Sequence, residues 1–173
     1  LLCFGYVREY KGLKYLLQAM PVITEKEDKV RLLVVGEFGA DRDEYRQMIE
    51  ELGMQERVTV IDRYTPDREV EQYFAAADLV VLPYVSATQS GIVQVAYGFT
   101  KPVVVTDVGG LPDVVEDGKT GYVVEPERPE AIAEAVLDFY RNGKENLFEE
   151  NIRKEAYRFS WERMGEVVDG MMD

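Results

Sequence analysis

The chain has 173 residues, with 33 acidic and 20 basic side chains, no histidine, one cysteine and a formal net charge of −13. That charge argues against an electrostatic grip on nucleic acid or an anionic membrane. The missing histidine excludes a Ser-His-Asp triad, a Cys-His pair and a histidine-bearing metal site. Cys3 alone allows no internal disulfide, so any chemistry falls to carboxylates, Lys, Arg, Tyr, hydroxyls, backbone amides or a partner.

The opening Leu1-Leu2-Cys3-Phe4-Gly5 has no initiator Met and no basic leader, and it reads as a strand already under way. A fragment with a preceding segment removed is expected. No apolar run approaches the roughly 20 residues that cross a bilayer, and the lone thiol fits a reducing, cytoplasmic setting.

Short apolar runs alternate with helical periodicity along the chain. Residues 1–7 form the first predicted strand, followed by a helix with Leu13, Leu16, Leu17 and Met20 on one face. Residues 31–36 form the second strand and 45–52 a helix. Residues 58–61 form the third, followed by a helix marked by Val70, Tyr73 and Phe74, with Asp67 as its expected N-cap. The fourth strand, residues 79–84, leads into a helix over 91–99 that is apolar all round and expected to be buried. Strands at 103–106 and 122–124 follow, then a helix marked by Ile132, Val136 and Phe139. Two helices close the chain, one with Leu147, Phe148 and Ile152, the other opening at Ser160 with Trp161, Met164, Val167 and Met171.

The strands are rich in Val and Leu without polar alternation, as strands covered on both faces are. The pattern predicts a doubly wound, Rossmann-like α/β fold: a parallel sheet flanked by helices, with right-handed crossovers and a C-terminal helical tail. Residues 1–143 would form the sheet domain, and 144–173 a helical segment packing on it or on a missing N-terminal domain.

Ligands of such sheets bind beyond the carboxyl ends of the strands. In the first loop Gly5 permits close backbone approach, and Arg8 and Lys11 place cations at a helix start, either as a diphosphate site or as ordinary surface charge around Glu9. In the fourth, Ser90 and Gly91 either offer free N–H groups to a phosphate or cap their own helix. In the fifth, Gly109 and Gly110 permit close ligand approach or make a plain turn, the plain turn being favoured for the loop alone. Arg63 and Tyr64 line either a base edge or an exposed turn. Neither Walker-type nor dinucleotide-type glycine spacing occurs, Gly36-Glu37-Phe38-Gly39 being only a fragment of such a pattern.

Taken in order, these segments resemble the C-terminal, nucleotide-sugar-binding domain of the retaining family 4 (group 1) glycosyltransferases, whose two Rossmann-like domains face a cleft (GT-B fold). The resemblance runs through Phe4-Gly5 to Lys11-Gly12, Val34-Val35-Gly36-Glu37, and Leu52-Gly53 to Arg57-Val58. It continues in Tyr73-Phe74-Ala75-Ala76-Ala77-Asp78 to Pro83, Lys101-Pro102 to Gly109-Gly110-Leu111-Pro112, and Asp117-Gly118 to Val124 with Pro126. It implies transfer of a sugar from a nucleoside diphosphate sugar, with retention, without a metal or other cofactor. Lys11 takes the family's diphosphate-binding lysine position. Tyr6 stands where the family has an arginine, so Arg8 is the substitute, and both cations would stabilise the leaving diphosphate. Gly5, Tyr6, Arg63, Tyr64, Thr88, Gln89, Ser90, Gly91, Ile92, Gln94, Gly109 and Gly110 would surround the donor, with Arg63 and Tyr64 near the base. The family's paired glutamates fall on Thr88 and Ala96, or with a one-residue gap on Val95 for the second, so both carboxylates are absent. Thr88, Gln89 and Gln94 are left to hydrogen-bond the sugar or ribose.

The resemblance places the acceptor site, and any membrane contact, on the missing N-terminal domain, and predicts that this chain alone is inactive. A non-catalytic binding domain of the same fold is the alternative, and a sugar-nucleotide epimerase of related architecture a third.

Overall fold

A computed structural model describes residues 1–158, with side chains through residue 155. The expected last helix, with Trp161, Met164, Val167 and Met171, lies outside the described residues.

Six strands form one parallel sheet: β1 (Leu2–Phe4), β2 (Leu32–Val35), β3 (Val58–Ile61), β4 (Val80–Leu82), β5 (Val103–Thr106) and β6 (Gly121–Val124), in the order β3-β2-β1-β4-β5-β6. The helices are α1 (Leu13–Lys26), α2 (Arg42–Glu51), α3 (Asp67–Ala75), α4 (Gly91–Gly98), α5 (Pro129–Arg141) and α6 (Glu145–Arg158), with a short 3-10 turn at Glu9–Lys11. This is the expected doubly wound sheet.

Successive strand residues point to opposite faces, and each face buries its own core. Val34, Val81 and Val104 meet α1, α2 and α5, through Leu16, Leu17, Met20, Tyr45, Ile49 and Val136. Val35, Val80, Leu82, Val103 and Val105 meet Phe74 of α3 and Val93 of α4. Phe148 of α6 is fully buried beside Tyr122 and Phe139, with ring centroids 5.2 and 6.2 Å away. Each fully buried large apolar side chain contributes about 1.5–3 kcal/mol of transfer free energy.

Three strands are shorter than expected. β1 stops at Phe4 because Gly5 turns to a φ of 107°, and Val7 returns only as an isolated bridge to Phe38. β2 ends at Val35, before Gly36, and β4 ends at Leu82, before Pro83, which has no N–H for the ladder. Asp67 does not cap α3: extended Pro66 occupies the cap position, and Asp67 is the first helical residue. Nor is α4 buried all round, since Val93 and Ala96 are its buried residues while Gln94 and Gly98 are exposed.

The chain winds outward from β1 in one direction through β2 and β3, and in the other through β4, β5 and β6. The switch point lies between β1 and β4, where a crevice forms at the carboxyl ends.

Candidate functional site

Two cavities open side by side at this edge. The first, about 220 Å³, is lined by Phe4, Gly5, Tyr6, Val35, Gly36, Glu37, Arg63, Tyr64, Thr65 and Ile92. The second, about 520 Å³, is lined by Tyr10, Lys11, Tyr84, Ser86, Ala87, Thr88, Gln89, Ser90, Gly91 and Ile92. Ile92 borders both.

Lys11 stands at the boundary. A methyl group built on Gly5, in the wall of the first cavity, would lie 3.2 Å from the Lys11 ammonium nitrogen, and that nitrogen sits 5.4 Å from the Tyr84 ring centroid in the second. Burial lowers the Lys11 pKa, opposed by Cys3, with the nearby Arg8 charge lowering it further. Among the described residues no carboxylate pairs with Lys11. A half-buried cation without a counter-charge is poised for an anionic ligand.

Tyr84 is buried, and its phenol is pushed up to about 12 by that burial. Its hydroxyl lies 3.3 Å from Ser90 Oγ, which also accepts the Ile92 N–H at 3.3 Å. Ser90 therefore caps α4. Buried Thr106 donates its hydroxyl to the Tyr84 carbonyl at 2.5 Å. The Tyr10 carbonyl accepts the Val85 N–H at 2.8 Å, tying the first loop to the fourth.

The fifth loop is fitted against the fourth. Gly109 and Gly110 line neither cavity. The Gly110 N–H donates to the Thr88 carbonyl at 2.7 Å, and a methyl group on Gly109 would lie 1.8 Å from the Ala87 carbonyl oxygen. Gly109 holds a φ of 53°, a left-handed conformation that glycine adopts freely. These glycines shape the loop that lines the second cavity.

Arg8 also lines neither cavity. It is exposed, donates to the Val7 carbonyl at 3.1 Å and lies over the Tyr6 ring at 5.4 Å. Arg63 lines the first cavity with its guanidinium engaged by Glu69 and by the Tyr73 hydroxyl. Tyr64, 61% exposed, stands at the rim. Gln94 is exposed on α4 and lines neither cavity. Of the positions matching the family's second glutamate, Ala96 is fully buried in the core and Val95 is half-buried.

Two lining residues carried no sequence signal as ligand contacts. Tyr84 follows Pro83 and reads as the end of a strand. Thr65 sits in an ordinary polar turn, yet its hydroxyl oxygen is buried in the wall of the first cavity, without a hydrogen-bond partner among the described residues.

The family model described as "Glycosyl transferases group 1" matches residues 1–142. A D-inositol 3-phosphate glycosyltransferase of Corynebacterium glutamicum (strain R) is 31% identical over 163 residues, covering 91% of this chain and 39% of that protein. Spore coat protein SA of Bacillus subtilis is 27% identical over 172 residues, covering 94% of this chain and 45% of its own length. The chain thus spans less than half the length of these relatives. Among solved structures, the C-terminal domain of a group 1 glycosyl transferase from Francisella tularensis superposes with a TM-score of 0.81 at 22% identity, covering 92% of this chain and 86% of that one. Anabaena HepE, solved in complex with UDP, gives a TM-score of 0.81 at 22% identity, covering 99% of this chain and 48% of that one. With the family model matched over most of its length and its fold shared with a solved C-terminal domain, the chain belongs to the group 1 glycosyl transferases.

Proposed function

We propose that this chain is the donor-binding domain of a glycosyltransferase that moves a sugar from a nucleoside diphosphate sugar to an acceptor, with retention and without a metal. The observation that carries the reading is Lys11: a half-buried ammonium between two cavities, one lined with apolar and aromatic groups and the other with hydroxyls and amides. In this reading the base enters the first cavity, the diphosphate lies over Lys11, and the sugar lies over Thr88, Gln89 and Ser90. When the bond from the anomeric carbon to the diphosphate oxygen breaks, the electron pair leaves with the diphosphate, and Lys11 stabilises the added charge.

Solved complexes of HepE with UDP and with UDP-glucose support a nucleoside diphosphate as the ligand class. The acceptor site then belongs to a second domain, and this chain alone is inactive or very slow. Any membrane-facing surface is on that second domain, the donor domain working in the cytoplasm. Its −13 charge disfavours an anionic surface, and no helix among the described residues is long and apolar enough to cross a membrane.

Calorimetric titration with UDP, GDP and ADP tests the reading. At least one should bind, and Lys11→Ala should weaken it by about 10- to 100-fold, the worth of one charge-assisted hydrogen bond. Absence of binding to all three would overturn the proposal; an unchanged affinity in Lys11→Ala would remove Lys11 from the site. Glycosyl transfer by the 173-residue chain at the rate of a two-domain enzyme would overturn the expected inactivity.

One observation favours the second reading, a non-catalytic nucleotide-binding domain. Thr88 and Ala96 stand where the family carries carboxylates, and the core leaves no space for one at Ala96. Nucleotide binding by an assembled two-domain protein that never turns over any donor sugar would establish it.

A further inference from the structure

We propose that Tyr84 is the positioning residue of Lys11: the face of its ring holds the ammonium at the boundary of the two cavities, with the charge uncancelled and turned to an arriving diphosphate. This rests on the donor-binding reading and adds to it how the lysine is kept ready. Lys11 Nζ lies over the Tyr84 ring, 5.4 Å from its centroid. A cation within about 6 Å of an aromatic centroid is attracted by the negative face of the ring. Tyr84 is buried, so water does little to weaken that attraction.

A neutral partner suits this task better than a charged one. A half-buried ammonium needs something to offset its lost hydration. A carboxylate would do so by ion pairing, and it would then compete with the diphosphate and repel it. The ring has no net charge and attracts the ammonium from one side only. The other groups that act on Lys11 cannot take its place. Burial keeps the Cys3 thiol protonated, and the Arg8 charge repels the ammonium.

Both members of the pair are held where they are. The Tyr84 hydroxyl meets Ser90 Oγ at 3.3 Å, and the Tyr10 ring packs against it edge-on, with centroids 6.4 Å apart. The Tyr84 carbonyl accepts the Thr106 hydroxyl at 2.5 Å. On the lysine side, a methyl group built on Gly12 would lie 1.9 Å from the Pro83 carbonyl oxygen. The residue after Lys11 is thus pressed against the residue before Tyr84, which fixes the spacing of cation and ring. A lysine loses rotamer freedom when it is held in one place. Here the fold imposes that loss before a ligand arrives, so binding is spared it.

Tyr84→Phe, Tyr84→Leu and Lys11→Met, with the Tyr84→Leu and Lys11→Met double variant, test the assignment in the whole chain. UDP, GDP and ADP are titrated by calorimetry, and thermal melting is followed in parallel. Tyr84→Leu removes the ring and should lose about 3- to 10-fold in affinity for the nucleotide that the wild-type chain binds. Tyr84→Phe keeps the ring and should bind within about 2-fold of wild type. In the Lys11→Met background, Tyr84→Leu should cost nothing further, because the ring acts through the ammonium. A phenylalanine carrying three ring fluorines at position 84 keeps the shape while withdrawing the negative face. It should bind more weakly than Tyr84→Phe, and it decides the matter if Tyr84→Leu does not fold. Equal affinity in the fluorinated and plain phenylalanine variants, or an undiminished loss from Tyr84→Leu without Lys11, overturns the role of the ring while leaving nucleotide binding in place. A wild-type chain that binds none of the three nucleotides overturns both readings.

Discussion

The N–H of Gly110 donates to the carbonyl of Thr88 at 2.7 Å, so the loop after β5 sets the position of the loop after β4. Gly109, one residue earlier, passes so close to Ala87 that only a glycine fits. The consequence is a mutation with an effect on ligand binding at a residue that lines neither cavity. Gly109→Ala combines a left-handed φ with a steric clash on backbone, and it should destabilise the fold by about 1–3 kcal/mol. It should also displace residues 87–89 and weaken nucleotide binding. Urea denaturation and calorimetry read the two effects.

Arg8 and Lys11 look equivalent as two cations in one loop, but their surroundings separate them. Lys11 is half-buried at the cavity boundary, whereas Arg8 is exposed, bound to the Val7 carbonyl and outside both linings. Solvent and salt screen an exposed charge far more than a partly buried one. Arg8→Ala should therefore lower nucleotide affinity by less than about 3-fold. The loss it causes should shrink with added salt more than the loss caused by Lys11→Ala. Titrations at two ionic strengths check the ranking.

Phe148 is fully buried between Tyr122 and Phe139, and so fastens α6 to β6 and α5. Truncation to alanine leaves a cavity that the surrounding rings cannot fill. Phe148→Ala should destabilise the chain by about 3–5 kcal/mol, measured as a drop in the urea midpoint. Leu147→Ala, at a 47% exposed neighbour, should change it little.

Burial pushes the Cys3 thiol and the Tyr84 phenol up to about 12 each. Both are neutral in the fold at pH 7 and ionise more readily when unfolded, near their ordinary values of about 8.5 and 10. Their contribution to stability is complete below those ordinary values and declines as pH rises toward 12. Unfolding free energy should fall from about pH 9 upward, with a shallower fall in Tyr84→Phe. At pH 8 the folded thiol should resist iodoacetamide, because alkylation needs the thiolate.

Much of the architecture was legible because buried parallel strands leave a strong trace: Val103-Val104-Val105 and Leu79-Val80-Val81-Leu82 cannot lie on a surface. Strand ends were less so, since Gly5 ends β1 by a backbone torsion that composition does not encode. The cap on α3 is hidden because Asp67 satisfies the residue preference for a position that Pro66 occupies. At the edge of the sheet, the lining residues came mostly from the loops that topology singled out. What each does was hidden, because it depends on partners distant in sequence. Arg63 is taken by Glu69 and Tyr73, Gly109 fits against Ala87, and Thr65 is conspicuous only because nothing meets it.

The loop between β4 and α4 is pinned at both ends, by the Tyr10 carbonyl on Val85 and by Gly110 on Thr88. A strap fastened twice has little slack, so arrival of a ligand should proceed in one step. In stopped-flow mixing, the observed association rate should rise linearly with nucleotide concentration and show no plateau from a slow opening event. Binding then leaves the loops at this edge in the shape that they hold without ligand.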